Sequence, residues 1–195
     1  MFDGCRNLVV IVNIIYWIIG YANLPCNIVY NRKLVKCIAV SAFNSIIIDS
    51  IMHYYVFWPL LHYRDYDNDN DNDNDNDNLL CIIIQFITID ELYNVQVYFI
   101  HRALHSRYFY WIHAMHHEWV MPITLSAFYE HPLEHIFNRL MPRYLAIYIT
   151  GANSIVIYVS FIVATINTLR AHSVEKSHHY LHHLKMYTNY GQASA

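Results

Sequence analysis

The sequence predicts an all-α fold: a multi-span helical membrane protein that carries a histidine-rich helical cap. Hydrophobic residues make up 56% of the 195-residue chain and charged residues only 14%, well below the quarter that is usual in soluble proteins. Three long apolar runs, and a fourth that is interrupted, have lengths suited to membrane helices. Twelve of the 14 histidines lie between His101 and His183. We therefore expect the chain to hold a histidine-rich region at a membrane surface.

The first two apolar runs are predicted to form an N-terminal unit over residues 1–63. The first run covers residues 8–24 and favours a short, uncleaved membrane span. The second covers residues 37–61 and contains Asp49 and His53, four residues apart. Ionisable side chains at membrane depth are costly, so we expect this pair to hydrogen-bond between helices, to face a cavity, or to contribute to a functional site.

A polar repeat separates the N-terminal unit from the rest of the chain. Six Asp-Asn repeats occupy residues 67–78, within a loop predicted for residues 64–78. A strictly alternating polar tract cannot bury apolar surface, so a disordered, solvated loop is expected. It lacks the glycine and the closing glutamate of an EF-hand loop, which argues against a calcium site. Outside the repeat the chain carries 12 basic and nine acidic residues. The sequence has no strongly basic patch, so a nucleic acid partner is not expected.

The third predicted unit covers residues 79–195. It begins with a span over residues 79–100 that runs directly into His101. A later apolar stretch is interrupted by a Gly-Ala-Asn-Ser sequence. A single straight span at that point would place the last histidines across the membrane from the first ones. Residues 137–150 and 154–171 are therefore predicted to form a hairpin that enters the membrane and returns.

Basic residues between the first two runs indicate the orientation in the membrane. Arg32, Lys33 and Lys36 favour a cytosolic linker, because positively charged residues accumulate on the cytosolic side. Two further crossings then return Arg102 and Arg107 to the cytosol. The histidine-rich cap is therefore expected to face the cytosol.

The histidines occur in clusters that have the spacing of metal ligands. HRALH places two histidines four residues apart, and HAMHH and HYLHH each place three at i, i+3 and i+4, so the imidazoles of a cluster share a helix face. Neutral imidazole binds iron, zinc, copper and nickel. So many histidines exceed the four ligands of a structural zinc site, which favours two metal ions with an open position for O2. The four cysteines form no CxxC pair, so neither a zinc ribbon nor a disulfide framework is expected.

The motifs HRALH, HAMHH, FYEHPLE, AHS and HHYLHHLKMYTNYG resemble the histidine boxes of the fatty acid hydroxylase and sterol desaturase superfamily, with some similarity to its methylsterol oxidase branch. The resemblance covers about residues 90–191. It implies catalytic metal ligands at eight histidines: His101, His105, His113, His116, His117, His179, His182 and His183. It also implies additional metal ligands at His131 and His172.

The resemblance further implies a membrane oxidoreductase of the endoplasmic reticulum or a similar internal membrane. Its cofactors would be two iron ions, which zinc can replace in a purified protein, and O2. Electrons would come from an external donor such as cytochrome b5 with its reductase. The expected reaction is hydroxylation or desaturation of a membrane lipid, either a sterol or a fatty acyl chain. His101 and His182 are then expected within about 15 Å of each other. The chain ends four residues after Gly191, so a small or missing lid over the substrate is expected.

Two alternatives remain open. Residues 131–135, HPLEH, match the pattern H-x-x-E-H of a zinc-dependent membrane hydrolase. In that case His131 and His135 would bind zinc and Glu134 would act as the general base. The other alternative is a catalytically degenerate, metal-binding membrane protein. If the chain is an oxidase, His135 and His178 are expected to support the ligands or to lie at the surface.

Overall fold

The computed structural model describes residues 2–61, 78–173 and 177–191. Within these ranges the chain forms helices and turns and no strand, which confirms the predicted all-α fold. Of the Asp-Asn loop predicted for residues 64–78, all but Asn78 lies outside the described residues.

Seven helices occur in the described ranges, and two of them contain π-helical turns. In chain order they are α1 (Phe2–Ala22), α2 (Arg32–Leu61, with π turns at Phe43–Ile48 and His53–Phe57), α3 (Leu79–Leu104), α4 (Tyr110–His113), α5 (consecutive segments Pro132–Glu134, His135–Leu140 and Met141–Thr150, the middle one π-helical), α6 (Ser154–Ala171) and α7 (His178–Lys185). Two short 3-10 turns, His116–Glu118 and Thr124–Phe128, lie between α4 and α5.

Three of these helices, α2, α3 and α6, are long and apolar enough to cross a membrane. Only 17% to 33% of their most apolar stretches is buried inside the protein. Their remaining apolar side chains point outward, as the side chains of lipid-facing helices do. The apolar part of α1, Asn7–Ala22, is shorter, and α1 packs along α6.

Polar side chains fix where the helices begin. Asn31, Asn78, Asn153 and Ser177 stand directly before α2, α3, α6 and α7, and each accepts a hydrogen bond of 3.0 Å from a backbone N–H of the first turn. These are the residue types that satisfy the unpaired N–H groups of a helix start. At the end of α5, Gly151 adopts a left-handed φ of 62°, which lets the chain turn into α6.

The packing of the long helices brings two chain segments to one end of the molecule. α3 ends beside His105 and α6 ends beside His172. The second half of α5 packs against α3, and a core of Phe57, Tyr144 and Ile147 fills the space between these helices and α2. α5 thus leads the chain away from the histidines and α6 returns it. That the two form a hairpin within the membrane stays a prediction.

A buried turn at Thr124–Phe128 ties the histidine-rich region to α1 and α2. The Leu125 carbonyl accepts hydrogen bonds from the Tyr16 hydroxyl at 2.7 Å and from the Ser41 hydroxyl at 3.1 Å. Asn44 Nδ2 donates to two further carbonyls of the loop, at 2.8 and 3.0 Å. Polar groups within apolar helices need such internal partners. These bonds set the position of the loop that follows the HAMHH box.

Candidate metal centre

Nine histidines form two groups where α3 and α6 end. The first group consists of His101, His105, His113, His117 and His182, and the second of His116, His172, His179 and His183. Within each group, one ring nitrogen per residue lies within 4.8 Å of all the others. His105 is half-buried and the other eight are buried. The ring centroids of His101 and His182 are 4.5 Å apart, which confirms their expected proximity.

Each HxxHH box contributes to both groups. The neighbours His116 and His117 belong to different groups, and so do His182 and His183. In the first box α4 ends at His113 and a 3-10 turn follows, so the three rings do not share one face of a continuous helix. The two groups are therefore adjacent and are held by the same short segments.

The spacing of the Nε2 atoms is that of ligands around one ion. In the first group four Nε2–Nε2 separations measure 2.9 to 3.2 Å. In the second group four measure 3.1 to 3.3 Å. Two imidazole nitrogens bonded to one metal at about 2.0–2.1 Å, at right angles or tetrahedral angles, lie roughly 2.9–3.4 Å apart. Each group therefore has the dimensions of a metal site.

The opposite ring nitrogens show which tautomers are present. The Nδ1–H groups of His101, His172 and His182 donate to backbone carbonyls at 2.7 to 2.8 Å. A carbonyl cannot donate, so the proton must be on Nδ1, and Nε2 keeps its lone pair. Several lone pairs then point into each group at close range. These lone pairs repel one another. A cation bound between them would remove the repulsion, because neutral imidazole is a metal ligand.

Burial keeps the histidines in the form that binds metal. Burial and then neighbouring histidines lower the pKa of His117 and of His183 to about 2. Burial likewise lowers the pKa of His172 to about 4. At neutral pH these imidazoles are uncharged, as metal ligands must be.

The sequence model of the fatty acid hydroxylase family matches residues 86–195, more than half of the chain and all of its clustered histidines. This chain belongs to the fatty acid hydroxylase family. The family predicted from the histidine boxes is thereby confirmed.

Proteins similar to this chain have names that refer to different lipids. A fatty acid hydroxylase of Mycosarcoma maydis is 29% identical over 158 residues, 80% of this chain and 40% of that protein. A Delta(7)-sterol 5(6)-desaturase of Leptosphaeria maculans is 31% identical over 107 residues, 49% of this chain and 30% of that protein. A sphinganine C4-monooxygenase of Arabidopsis thaliana is 30% identical over 90 residues, 45% of this chain and 35% of that protein. The chain spans well under half the length of these relatives, and no solved structure matches it significantly.

One histidine that the resemblance implied as a ligand lies apart from both groups of this family member. His131 Nδ1 accepts a hydrogen bond from the Leu133 N–H at 3.2 Å, and its ring lies 5.5 Å from the Trp111 ring. The physical reason is local: Pro132 begins α5, so His131 occupies the capping position before it. The structure thus brings together nine of the ten predicted metal ligands.

The HPLEH pattern does not form a zinc site among the described residues. His135 is fully buried, and its two ring nitrogens contact Asp49 Oδ1 at 2.6 Å and Glu130 Oε1 at 2.8 Å. It therefore shares no group with His131. Asp49 thus makes a bond between helices and, with His53, lines a cavity, which are two of the three roles expected for this pair. His178, the other histidine without an expected ligand role, is exposed.

A variant of His135 gives a test of pH-dependent stability. Burial alone would lower the pKa of His135, but the Asp49 carboxylate and hydrogen bonds to Asp49 and Glu130 raise it. A raised pKa contributes stability that is complete below the unfolded value of about 6.5 and is lost as pH rises through the folded value. We expect wild type to exceed His135→Gln in melting temperature most below about pH 6.5, and progressively less at higher pH. Melting curves in detergent check this, and an advantage that grows with pH would contradict it.

Glu134 and three backbone carbonyls are functional groups that sequence reasoning did not assign to the centre. Glu134 Oε1 accepts from His113 Nδ1–H at 2.6 Å, and both side chains are 1% exposed. The carboxylate lies within the quoted FYEHPLE motif, which was the available signal. The carbonyls of Thr168, Thr188 and Tyr190 have no side-chain signature. Such partners orient metal-binding histidines and fix their tautomers.

An apolar cavity lies between the long helices and shares Arg139 with the small cavity that borders the histidine groups. Its walls combine apolar residues of α1, α5 and α6 with the charged side chains of Asp49, Arg139 and Arg143. Each of these charges has a partner: Asp49 bonds to His135, Arg139 to Glu130, and Arg143 lies 3.6 Å from Asp90. Arg139 also lines a small polar cavity against the histidines. The volume of this cavity is about 50 Å³, room for a few water molecules at roughly 10–15 Å³ each, so its apolar wall can contact an uncharged group but does not enclose a lipid chain.

Proposed function

We propose that this protein catalyses the O2-dependent hydroxylation or desaturation of a membrane lipid at two iron ions held by its two histidine groups. The observation that carries the proposal is the pair of adjacent, buried groups whose Nε2 atoms have ligand spacing. Five histidines would hold one ion and four the other, which leaves His131 outside the ligand set. The relatives' names, a hydroxylase and a desaturase among them, favour oxidation of a lipid.

The residues of the chain would bind the iron ions, orient the histidine rings and shield the centre from bulk water. When bound, the iron ions with O2 and external electrons would supply the oxidising power needed to break an unactivated C–H bond. The Nδ1–H bonds of His101, His172 and His182 fix the ring orientations. Burial of the groups excludes bulk water from the reacting centre. The apolar wall of the cavity between the long helices would contact a short part of the lipid's hydrocarbon chain.

The cellular setting forms part of the same proposal. The basic end of α2, with Lys33 and Lys36, favours a cytosolic cap on an internal membrane such as the endoplasmic reticulum. An external donor such as cytochrome b5 with its reductase would then deliver electrons from the cytosol. Residues 1–63 would anchor the chain, the loop 64–78 would connect, and residues 79–195 would hold the site.

Reconstitution tests the proposed reaction. Purified protein loaded with iron in lipid vesicles, with a reductant, an electron donor and 18O2, is expected to yield an oxidised lipid, detected by mass spectrometry. A hydroxylated product should carry one 18O atom, whereas a desaturated product has lost two hydrogens. Omission of O2 or of reductant should stop turnover, because both are consumed. Equal turnover under strict anaerobiosis without reductant would contradict the proposal.

A further inference from the structure

A small polar cavity lies against both histidine groups on the side of α5. Its walls include His113 and His116, one from each group, together with Glu130, Glu134 and Asn138. Its volume is about 20 Å³, and one water molecule needs roughly 10–15 Å³ by the same measure. The space therefore suits a single water molecule.

Three buried polar atoms on this cavity lack a hydrogen-bond partner within the described part of the chain. They are His116 Nδ1, Glu134 Oε2 and Asn138 Oδ1. His116 is 4% exposed and Glu134 is 1% exposed, so bulk water does not satisfy them. A nitrogen of His116 and an oxygen of Glu134 lie within 4.8 Å of each other, a gap that one bridging water spans. Buried polar groups are almost always paired, so a bound water is expected here.

Arg139 favours water over a third cation. Its guanidinium lines the same cavity and donates from Nε to Glu130 Oε1 at 2.7 Å. The same oxygen lies 2.8 Å from His135 Nδ1. Glu130 therefore already has two nitrogen partners, and the fixed positive charge of Arg139 would repel a further cation.

We propose that Glu134 positions one ligand in each histidine group, His113 directly and His116 through a water molecule bound in this cavity. Glu134 Oε1 accepts from His113 Nδ1–H at 2.6 Å. The water would accept from His116 Nδ1–H and donate to Glu134 Oε2 and Asn138 Oδ1, which satisfies all three unpaired atoms. Both rings present Nε2 to their own groups. The inference rests on the proposed two-metal function and adds one carboxylate that serves both sites.

A substitution that keeps the shape of Glu134 provides the test. Iron-loaded, full-length Glu134→Gln protein is titrated with a chelator, and the two ions are followed by metal analysis. We expect both ions to bind roughly 10- to 100-fold more weakly, the usual loss when such a partner is removed. The melting temperature of the metal-free variant should not fall, because glutamine fills the same space without a buried charge. A purely structural role would lower it.

Two further variants sharpen the result. Glu118→Gln makes the same chemical change at a carboxylate that pairs with Lys36 at 2.9 Å, and it should bind both ions as wild type does. Asn138→Leu fills the cavity and expels the water, so it should weaken only the ion of the second group, through His116. This variant also tests the water if Glu134→Gln does not fold.

Four outcomes would overturn the inference. Wild-type affinity for both ions in Glu134→Gln would remove Glu134 from the centre altogether. Weakening of one ion only would leave the contact with His113 and remove the water bridge to His116. Three ions per wild-type chain would place a cation in the cavity. Fewer than two ions per wild-type chain would instead overturn the proposed function, and the inference with it.

Discussion

The proposed two-metal centre predicts that a His182→Ala variant loses at least one of the two metal ions, whereas a His135→Ala variant keeps both. His182 is fully buried, and its Nε2 lies 3.1 Å from His105 Nε2 and 3.2 Å from His117 Nε2, at the middle of the first group. Alanine removes a ligand and leaves a gap that no neighbouring nitrogen fills. His135, in contrast, contacts Asp49 and Glu130 and belongs to neither group. The measurement is metal content per folded chain.

The same pair of variants separates the rival functions. His135→Ala removes a partner from the half-buried Asp49 carboxylate and from the buried Glu130 carboxylate, which keeps Arg139. A lower melting temperature is therefore expected, and metal content must be referred to folded protein. A zinc hydrolase built on HPLEH requires the reverse order: His135→Ala would empty the site and His182→Ala would stay loaded. If neither variant lost metal, the histidines would be structural, and a catalytically degenerate protein would be the better account.

Helical periodicity predicts that the histidines converge, but their division into two groups was not predicted from the sequence. A spacing of three and four residues brings side chains to one side of a helix, and it led correctly to one compact centre. The division follows the i, i+4 spacing, since each of three such pairs stays in one group: His101 with His105, His113 with His117, and His179 with His183. The i+3 histidines His116 and His182 join the opposite group. The HYLHH box divides in this way within one continuous helix, α7. His116 and His117 consequently face different groups. Which pairs from different boxes meet in one group depends on tertiary contacts that a local pattern does not contain.

His131 shows a different limit, since the resemblance implied a ligand and the structure places this histidine at the cap of α5, apart from both groups. The sequence did contain the relevant signal, because a proline directly after a polar residue is typical of a helix start. The backbone partners of the site offered no comparable signal. The carbonyls of Thr188 and Tyr190 meet His182 and His101 only because the chain after α7 folds back over the first group. Contacts between a side chain and a distant backbone depend on the whole fold.

The turn after α7 leads to the second large effect that we expect. Asn189 lies between the two residues whose carbonyls hold His182 and His101, and it adopts a left-handed φ of 59°. Asparagine tolerates this conformation, glycine adopts it freely, and a β-branched residue is strained there by roughly 1–2 kcal/mol. Strain at this position would rotate both carbonyls away from the rings that they orient.

An Asn189→Val variant is therefore expected to bind the ion of the first group roughly 10- to 100-fold more weakly, because two of its five histidines lose their Nδ1 partners. Asn189→Gly is the matched control: it also removes the side chain, including its 3.3 Å bond to the His178 carbonyl, but permits the same turn. Chelator titration of the two variants separates the effect of the backbone conformation at residue 189 from the effect of losing the asparagine side chain. If valine and glycine weakened the ion equally, the side chain would matter and the turn would not. If only valine did so, backbone geometry after α7 would be a determinant of metal affinity, acting through residues that are not themselves ligands.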